Sequence, residues 1–153
     1  DMKYRDFGKT GFKVSALGFG AMRLPTNDKK PMGEKIDAKA AERMVLKAID
    51  GGVNYYDTAY MYHGGKSEVF VGKVLREHRS KVMIATKLPV WNIEKPEDME
   101  RIFTEQLQRL QTDYVDIYHV HGLGAPTWEK MKKMGVLEFM DGLVRSGRIR
   151  FGA

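Results

Sequence analysis

Three ionisable residues stand at the ends of apolar, β-prone runs in this chain: Asp57, Lys87 and His121. They lie 30 and 34 residues apart, which is about the length of one strand–helix unit. Parallel strands all end on the same side of a sheet, where α/β folds build their active sites. We therefore expect the carboxylate, the ammonium group and the imidazole to meet at one rim.

These groups suggest acid–base chemistry on a carbonyl. Asp57 and Lys87 should pair, because a buried charge without a partner is costly. A tyrosine beside the ammonium becomes a stronger acid, since the cation favours the phenolate, and Tyr60 and Tyr62 are both candidates. With His121 orienting a carbonyl oxygen, the set suits proton delivery to the alkoxide that forms on reduction. The hydride would come from a cofactor.

An H-x-H pair, His119 and His121, offers a different chemistry. The two side chains point to the same side of a strand, and such a pair binds zinc in metal-dependent hydrolases built on barrels. Only two other histidines are present, His63 and His78, and His78 falls on a predicted helix away from the rim. Because Lys87 would place a cation beside the metal, we expect no metal site and keep the hydrolase as an alternative.

The order of elements accounts for the rim. Residues 3–15 predict a hairpin. Apolar runs predict strands at 16–20, 53–57, 82–87, 115–121 and 149–151. Apolar residues at helical spacing lie between these runs, with Asp37 and Ser67 as expected N-caps and Gly72 as a weak point inside the second helix. Such alternation is typical of a parallel sheet with helical crossovers.

Composition narrows the class of protein. The 153 residues are 42% hydrophobic and 30% charged, with a net charge of +6, as in one soluble domain over residues 1–153. The basic residues are scattered, which argues against nucleic-acid binding and leaves a basic cleft for an anionic ligand as an alternative. No run approaches the length of a membrane span. The absence of cysteine excludes thiolate metal ligands in this stretch, and we expect a cytoplasmic location.

Taken together, these features resemble the aldo-keto reductase family. The resemblance covers nearly the whole chain and is carried by residues 2–5, 8–11, 14–20, 52–59, 85–87 and 113–121. It implies a (β/α)8 TIM barrel closed at its bottom by an N-terminal hairpin. Residues 1–153 would supply the hairpin, four βα units and the start of strand 5, the first half of the barrel.

The resemblance also implies site residues and partners. The family's catalytic tetrad corresponds to Asp57, Tyr62, Lys87 and His121, with Tyr62 preferred over Tyr60 because the family's tyrosine stands five residues after the aspartate. The implied cofactor is NADPH or NADH, and the implied substrate is a small aldehyde or ketone. The implied nicotinamide contacts are Gly20, Ala21, Met22 and Asp57.

Length departs from the family pattern, since a complete barrel needs about 250 residues. We expect a fragment of a longer bacterial protein. A truncated gene product and a half barrel completed by homodimerisation are the alternatives. The loops resemble a bacterial subgroup that often continues into a ferredoxin-like domain with an iron–sulfur cluster. We expect the parent protein to be catalytic and residues 1–153 alone to be inactive, with a regulatory or scaffold protein as the alternative function.

Overall fold

The computed structural model describes residues 1–153 and begins with an antiparallel hairpin of strands β1 (Tyr4–Asp6) and β2 (Lys13–Ser15). Asn54 fastens this hairpin to the rest of the chain. The Ser15 N–H donates to Asn54 Oδ1 at 2.8 Å, and the Asn54 N–H donates to Ser15 Oγ at 3.0 Å. Because Asn54 immediately precedes a strand of the main sheet, these bonds place the predicted hairpin at the amino ends of the strands.

The main sheet has five parallel strands in chain order. They are β3 (Phe19–Gly20), β4 (Tyr55–Asp57), β5 (Met83–Pro89), β6 (Val115–His121) and β7 (Ile149–Gly152). The edge strands are β3 and β7. Helices connect successive strands, as parallel pairing requires. This confirms the predicted α/β fold with its hairpin, four strand–helix units and the start of a fifth strand.

Five α-helices provide the crossovers: α1 (Ala38–Asp50), α2 (Lys66–Leu75), α3 (Glu97–Leu110), α4 (Ala125–Lys133) and α5 (Val136–Arg145). The Asp37 side chain caps α1 as predicted by accepting from the Ala40 N–H at 3.0 Å. The predicted cap at Ser67 is wrong, because α2 begins after Gly65, whose φ of 88° favours glycine. None of the helices is both long and apolar enough to cross a membrane.

Strand β5 is longer than predicted. Residues 88–89 pair with residues 120–121 of β6, so the strand ends at Pro89. Lys87 therefore lies two residues inside the strand, and its prediction as the terminal residue is wrong. The difference arises because β6 is itself long enough to offer hydrogen-bonding partners beyond the level of Lys87.

The proline at the end of β5 is tolerated because β4 has already ended on that side. The Thr58 N–H donates to the Ala85 carbonyl at 2.9 Å, so Ala85 turns its backbone groups towards β4. Alternate residues face the same neighbour, which directs Lys87 and Pro89 to the same side. Since β4 stops at Asp57, opposite Ala85, proline removes no donor from a strand ladder there.

Side chains of the sheet divide between two faces. Those directed towards the helices form the core and include Tyr56, Ile84, Leu88 and Tyr118, each at most 1% exposed. Residues of opposite parity face away from the helices, and near the carboxyl ends of the strands these are polar and partly exposed. The alternation of the pleat thus separates a dry core from a face on which ionisable groups are accessible.

Candidate active site

The predicted ion pair is present at the rim. Lys87 Nζ donates to Asp57 Oδ1 at 2.7 Å and to the Thr58 carbonyl oxygen at 2.7 Å. The Lys87 side chain is 14% exposed and the Asp57 side chain 30% exposed, so water screens the pair only in part. Asp57 pairs with Ala85, so Lys87 lies two residues further along β5 and on the same face of the sheet. Its flexible side chain reaches back to the carboxylate.

Tyr62 receives the third donor of the ammonium group. Lys87 Nζ lies 3.5 Å from Tyr62 Oη and 5.0 Å from the centre of its ring, and Tyr62 is 8% exposed. Tyr60 points elsewhere, because its hydroxyl donates to Glu105 Oε2 at 3.0 Å and its ring lies under the Arg109 guanidinium at 4.4 Å. The structure therefore brings Tyr62, and not Tyr60, to the lysine.

The turn that carries Tyr62 is fixed by a histidine that the sequence reasoning did not assign. His63 is fully buried, with φ 54° and ψ 40°. Its Nε2 accepts from the Leu24 N–H at 3.1 Å, which leaves Nδ1 to donate to the Gly33 carbonyl at 2.7 Å. The imidazole is thus a neutral clamp between this turn and the loop after β3. A histidine directly before Gly64-Gly65 was the available sequence signal, since histidine tolerates positive φ better than most residues.

His121 lies on the same rim and borders two aromatic rings. The Tyr62 ring centre is 6.3 Å away and the Trp91 ring centre 4.9 Å away, both edge to face. Burial and, after it, the Lys87 charge lower the pKa of His121, so the imidazole is neutral near pH 7. Its Nδ1 is buried without a hydrogen-bond partner. Because Nδ1 is closed to solvent, a hydrogen bond from this neutral ring to a ligand would have to come from Nε2.

Trp91 forms a wall beside His121. It is 48% exposed and packs over the backbone of Gly122, where a Cβ atom would lie 2.6 Å from the indole. Any larger residue at position 122 would displace this ring from His121. The tryptophan and the glycine together hold one side of the imidazole.

His119 shares the face of His121 but lies deeper, level with Lys87. Burial, followed by the Lys87 charge, lowers the pKa of His119. A hydrolytic metal site would require at least three ligands, and no three His, Asp or Glu side chains are grouped so that they could hold an ion. Within residues 1–153 the H-x-H pair therefore has no third ligand of the kind that the hydrolase alternative needs.

The residues implied for nicotinamide contact surround Asp57. Gly20 is paired with Asp57 in the sheet, and a Cβ atom at Gly20 would meet nothing within 4 Å. Ala21 and Met22 follow in a short 3-10 turn, where Ala21 is buried and Met22 is 37% exposed. The space above Gly20 and the partly exposed carboxylate form an open, polar edge next to the ion pair.

Behind Lys87, a buried polar network joins α2 and α3 to the sheet. Glu68 Oε1 accepts from the Thr86 hydroxyl at 2.5 Å and from Gln106 Nε2 at 2.7 Å. Gln106 also donates to the Lys87 carbonyl at 2.9 Å and accepts from the Tyr118 hydroxyl at 2.6 Å. Burial raises the pKa of Glu68. Because β4 has already ended, no strand donates to the Lys87 backbone carbonyl on that side, and the side-chain amide of Gln106 supplies this hydrogen bond instead.

Sequence reasoning missed this network, although the pattern contained a signal. Glu68 is three residues before Val71 on α2, and Gln106 is three residues after Phe103 on α3. Both polar residues therefore occupy core-facing positions of otherwise apolar stripes, and buried polar groups need partners.

A family model described as the aldo/keto reductase family matches residues 16–151. The chain is 35% identical over 136 residues to a probable voltage-gated potassium channel subunit beta of Arabidopsis thaliana, which covers 82% of the chain and 39% of that protein. It is 31% identical over 169 aligned residues to the uncharacterized oxidoreductase YrpG of Bacillus subtilis, covering 98% and 48% respectively.

Solved structures agree in fold. An aldo-keto reductase from Bacillus halodurans in its holo form has a TM-score of 0.82 and 32% identity, covering 99% of this chain and 49% of its own. An aldo-keto reductase from Klebsiella pneumoniae in complex with NADPH has a TM-score of 0.74 and 32% identity, covering 92% and 45%. The chain spans less than half the length of each of these relatives.

Proposed function

The chain belongs to the aldo/keto reductase family, and from this premise we propose that the protein is an NADPH-dependent reductase of aldehydes or ketones. One observation carries the proposal. An aspartate, a lysine, a tyrosine and a neutral histidine lie together at the carboxyl ends of three neighbouring strands, with Lys87 Nζ 2.7 Å from Asp57 and 3.5 Å from Tyr62. Neutral and cationic donors at one point suit a carbonyl oxygen that gains negative charge during reduction.

The rim fits a nicotinamide in two respects. The space above Gly20 is open, and only one oxygen of the Asp57 carboxylate is engaged by Lys87. We assign the contacts to Gly20, Ala21, Met22 and Asp57. When bound, NADPH supplies the hydride that reduces the carbonyl carbon.

Tyr62 is the proposed proton donor. Its hydroxyl gives a proton to the alkoxide oxygen, and the phenolate that remains faces the Lys87 ammonium. Lys87 is itself held by Asp57 and by the Thr58 carbonyl, so no reorganisation is needed as the charge develops. The lysine therefore acts by stabilising the conjugate base of the acid.

His121 is the proposed orienting residue. The lowered pKa keeps its imidazole neutral near pH 7, so one ring nitrogen carries a proton that can be donated to the carbonyl oxygen. Trp91 packs against the ring and limits its rotation. The histidine thus aims the carbonyl oxygen at Tyr62 without bringing a second cation to Lys87.

A regulatory role is the second candidate, favoured by the similarity to the Arabidopsis potassium channel subunit beta. In that role the protein would act on a partner and would not need to turn a substrate over. The other expectations concern the whole protein. We propose a cytoplasmic, bacterial parent, with homodimerisation as the route to a closed barrel if residues 1–153 act alone. An iron–sulfur cluster would need ligands outside these residues, since they contain no cysteine.

Tyr62→Phe in the intact protein tests the assignment against a matched control, Tyr60→Phe. Loss of a general acid should reduce kcat for an aromatic aldehyde by at least about a hundredfold. Quenching of NADPH fluorescence should give a nearly unchanged Kd, because Tyr62 donates a proton and does not hold the cofactor. Tyr60→Phe should keep wild-type turnover. Turnover that survives in Tyr62→Phe would exclude this acid, and binding without any turnover in the wild type would favour the regulatory candidate.

A further inference from the structure

A hydroxyl pair on α2 and after β4 links two parts of the site. Ser67 and Thr58 are both fully buried, and their hydroxyl oxygens lie 2.8 Å apart. Ser67 Oγ also donates to the Ala21 carbonyl oxygen at 2.9 Å. Because Ser67 has a single hydroxyl proton and gives it to a carbonyl, Thr58 must be the donor within the pair. The order of donation is therefore Thr58 to Ser67 to Ala21.

The two ends of this short chain of hydrogen bonds meet different functional groups. Ala21 lies in the turn assigned to nicotinamide contact. Thr58 presents its own carbonyl oxygen to Lys87 Nζ at 2.7 Å. A displacement of either hydroxyl would thus move both the cofactor turn and an acceptor of the ammonium group.

Neither hydroxyl is needed by the secondary structure. Ser67 does not cap α2, because Gly65 precedes the helix and Ser67 lies within it. Alanine at position 67 and valine at position 58 would fill nearly the same space, so the two hydroxyls serve hydrogen bonding and not packing. The pair does, however, specify one direction and one distance between backbone segments that are 37 residues apart in the sequence.

We propose that Ser67, acting through Thr58, is a positioning residue that sets the Ala21 turn and the Lys87 ammonium relative to one another. This proposal rests on the proposed reductase function for the role of the Ala21 turn. The effect on Lys87 needs no cofactor.

The test compares Ser67→Ala, Thr58→Val and Thr58→Ser in the intact protein. Thr58→Val keeps the shape of the side chain and removes its hydroxyl, whereas Thr58→Ser keeps the hydroxyl. Acetylation of Lys87 by acetic anhydride, followed by mass spectrometry without cofactor, should be about fivefold faster in Ser67→Ala and Thr58→Val, the factor expected for one ordinary hydrogen bond. NADPH Kd from fluorescence quenching should rise by a similar factor. Thr58→Ser, which keeps the hydroxyl, should have the wild-type acetylation rate and the wild-type NADPH Kd.

Ser15→Ala is the matched structural control. Ser15 is also a buried serine, 5% exposed, and donates to the Leu17 carbonyl at 2.7 Å, but it lies at the amino ends of the strands. The Ser15→Ala variant should lower the melting temperature as Ser67→Ala does, but it should leave the Lys87 acetylation rate and the NADPH Kd unchanged.

The outcomes separate this proposal from the reductase proposal. Unchanged Lys87 acetylation in both Ser67→Ala and Thr58→Val, or an equal acceleration in Ser15→Ala, would overturn the positioning role. A wild-type protein that neither quenches NADPH fluorescence nor oxidises NADPH would overturn the proposed reductase function. The acetylation rates would still decide whether Ser67 positions Lys87.

Discussion

Replacing Lys87 by methionine isolates the effect of its ammonium group on Tyr62. At the observed Nζ–Oη separation of 3.5 Å, the attraction between an ammonium and a phenolate is roughly 5 kcal/mol at an effective dielectric constant of about 20. The Asp57 carboxylate, 2.7 Å from the same ammonium, repels the phenolate and offsets part of this attraction. If about half remains, kcat for carbonyl reduction should fall roughly a hundredfold.

The assay is steady-state consumption of NADPH with an aromatic aldehyde by the intact protein, together with NADPH Kd from fluorescence quenching. Lys87→Met should lower kcat much more than it changes Kd, because the ammonium acts on the developing phenolate. Lys13→Met is the matched control, since Lys13 also pairs with an aspartate, Asp6, but at the exposed hairpin. Its loss should leave kcat unchanged and cost at most about 1 kcal/mol of stability.

A double variant separates catalysis from structure. Lys87→Met leaves Asp57 as a partly buried carboxylate without its partner, which could lower kcat by distorting the rim. Lys87→Met combined with Asp57→Asn removes that charge. If the ammonium acts on Tyr62, the double variant stays slow. Recovery of kcat to within about threefold of Asp57→Asn alone would refute the reasoning, because the single variant's defect would then be an unpaired carboxylate.

Two further predictions concern stability. Gly72→Ala should destabilise the fold by about 3 kcal/mol in urea unfolding, because a Cβ would lie 2.3 Å from the Leu110 carbonyl oxygen. Gly142→Ala, on a helix with open space, should instead stabilise the fold by up to about 1 kcal/mol. Similar effects at both glycines would contradict this account. Burial lowers the pKa of His119 and His121 below the ordinary value of 6.5. As pH falls, these histidines therefore take up protons in the unfolded chain at a higher pH than in the folded chain. The free energy of unfolding should then decline as pH falls below about 6.5. His119→Gln should make that decline shallower in urea unfolding at several pH values, and an unchanged slope would show that His119 does not contribute.

Much of the fold follows from the sequence because its periodicities are local. Apolar runs of strand length alternate with stripes at helical spacing, and only a parallel sheet with crossovers accommodates that order. The same local pattern placed Asp57, Lys87 and His121 near the carboxyl ends of successive strands. Their meeting at one rim was therefore predictable from residue order.

Side-chain direction beyond the strand ends was not predictable from residues alone. Tyr60 and Tyr62 are both near Asp57 in the sequence, but in the fold Tyr62 reaches Lys87 while Tyr60 donates to Glu105 on α3. Sequence spacing by itself left the two tyrosines equivalent, and the family resemblance chose between them.

Residue order was enough to predict the alternation of elements, the parallel sheet and the set of ionisable groups at its rim. Three features became visible only in the folded chain: β5 continues to Pro89, Gln106 replaces the missing strand partner of Lys87, and Ser67 turns towards Thr58 instead of capping α2. The physical reason is common to all three. Each depends on where a neighbouring segment ends and which polar group it leaves without a partner, and that is a relation between residues distant in the chain.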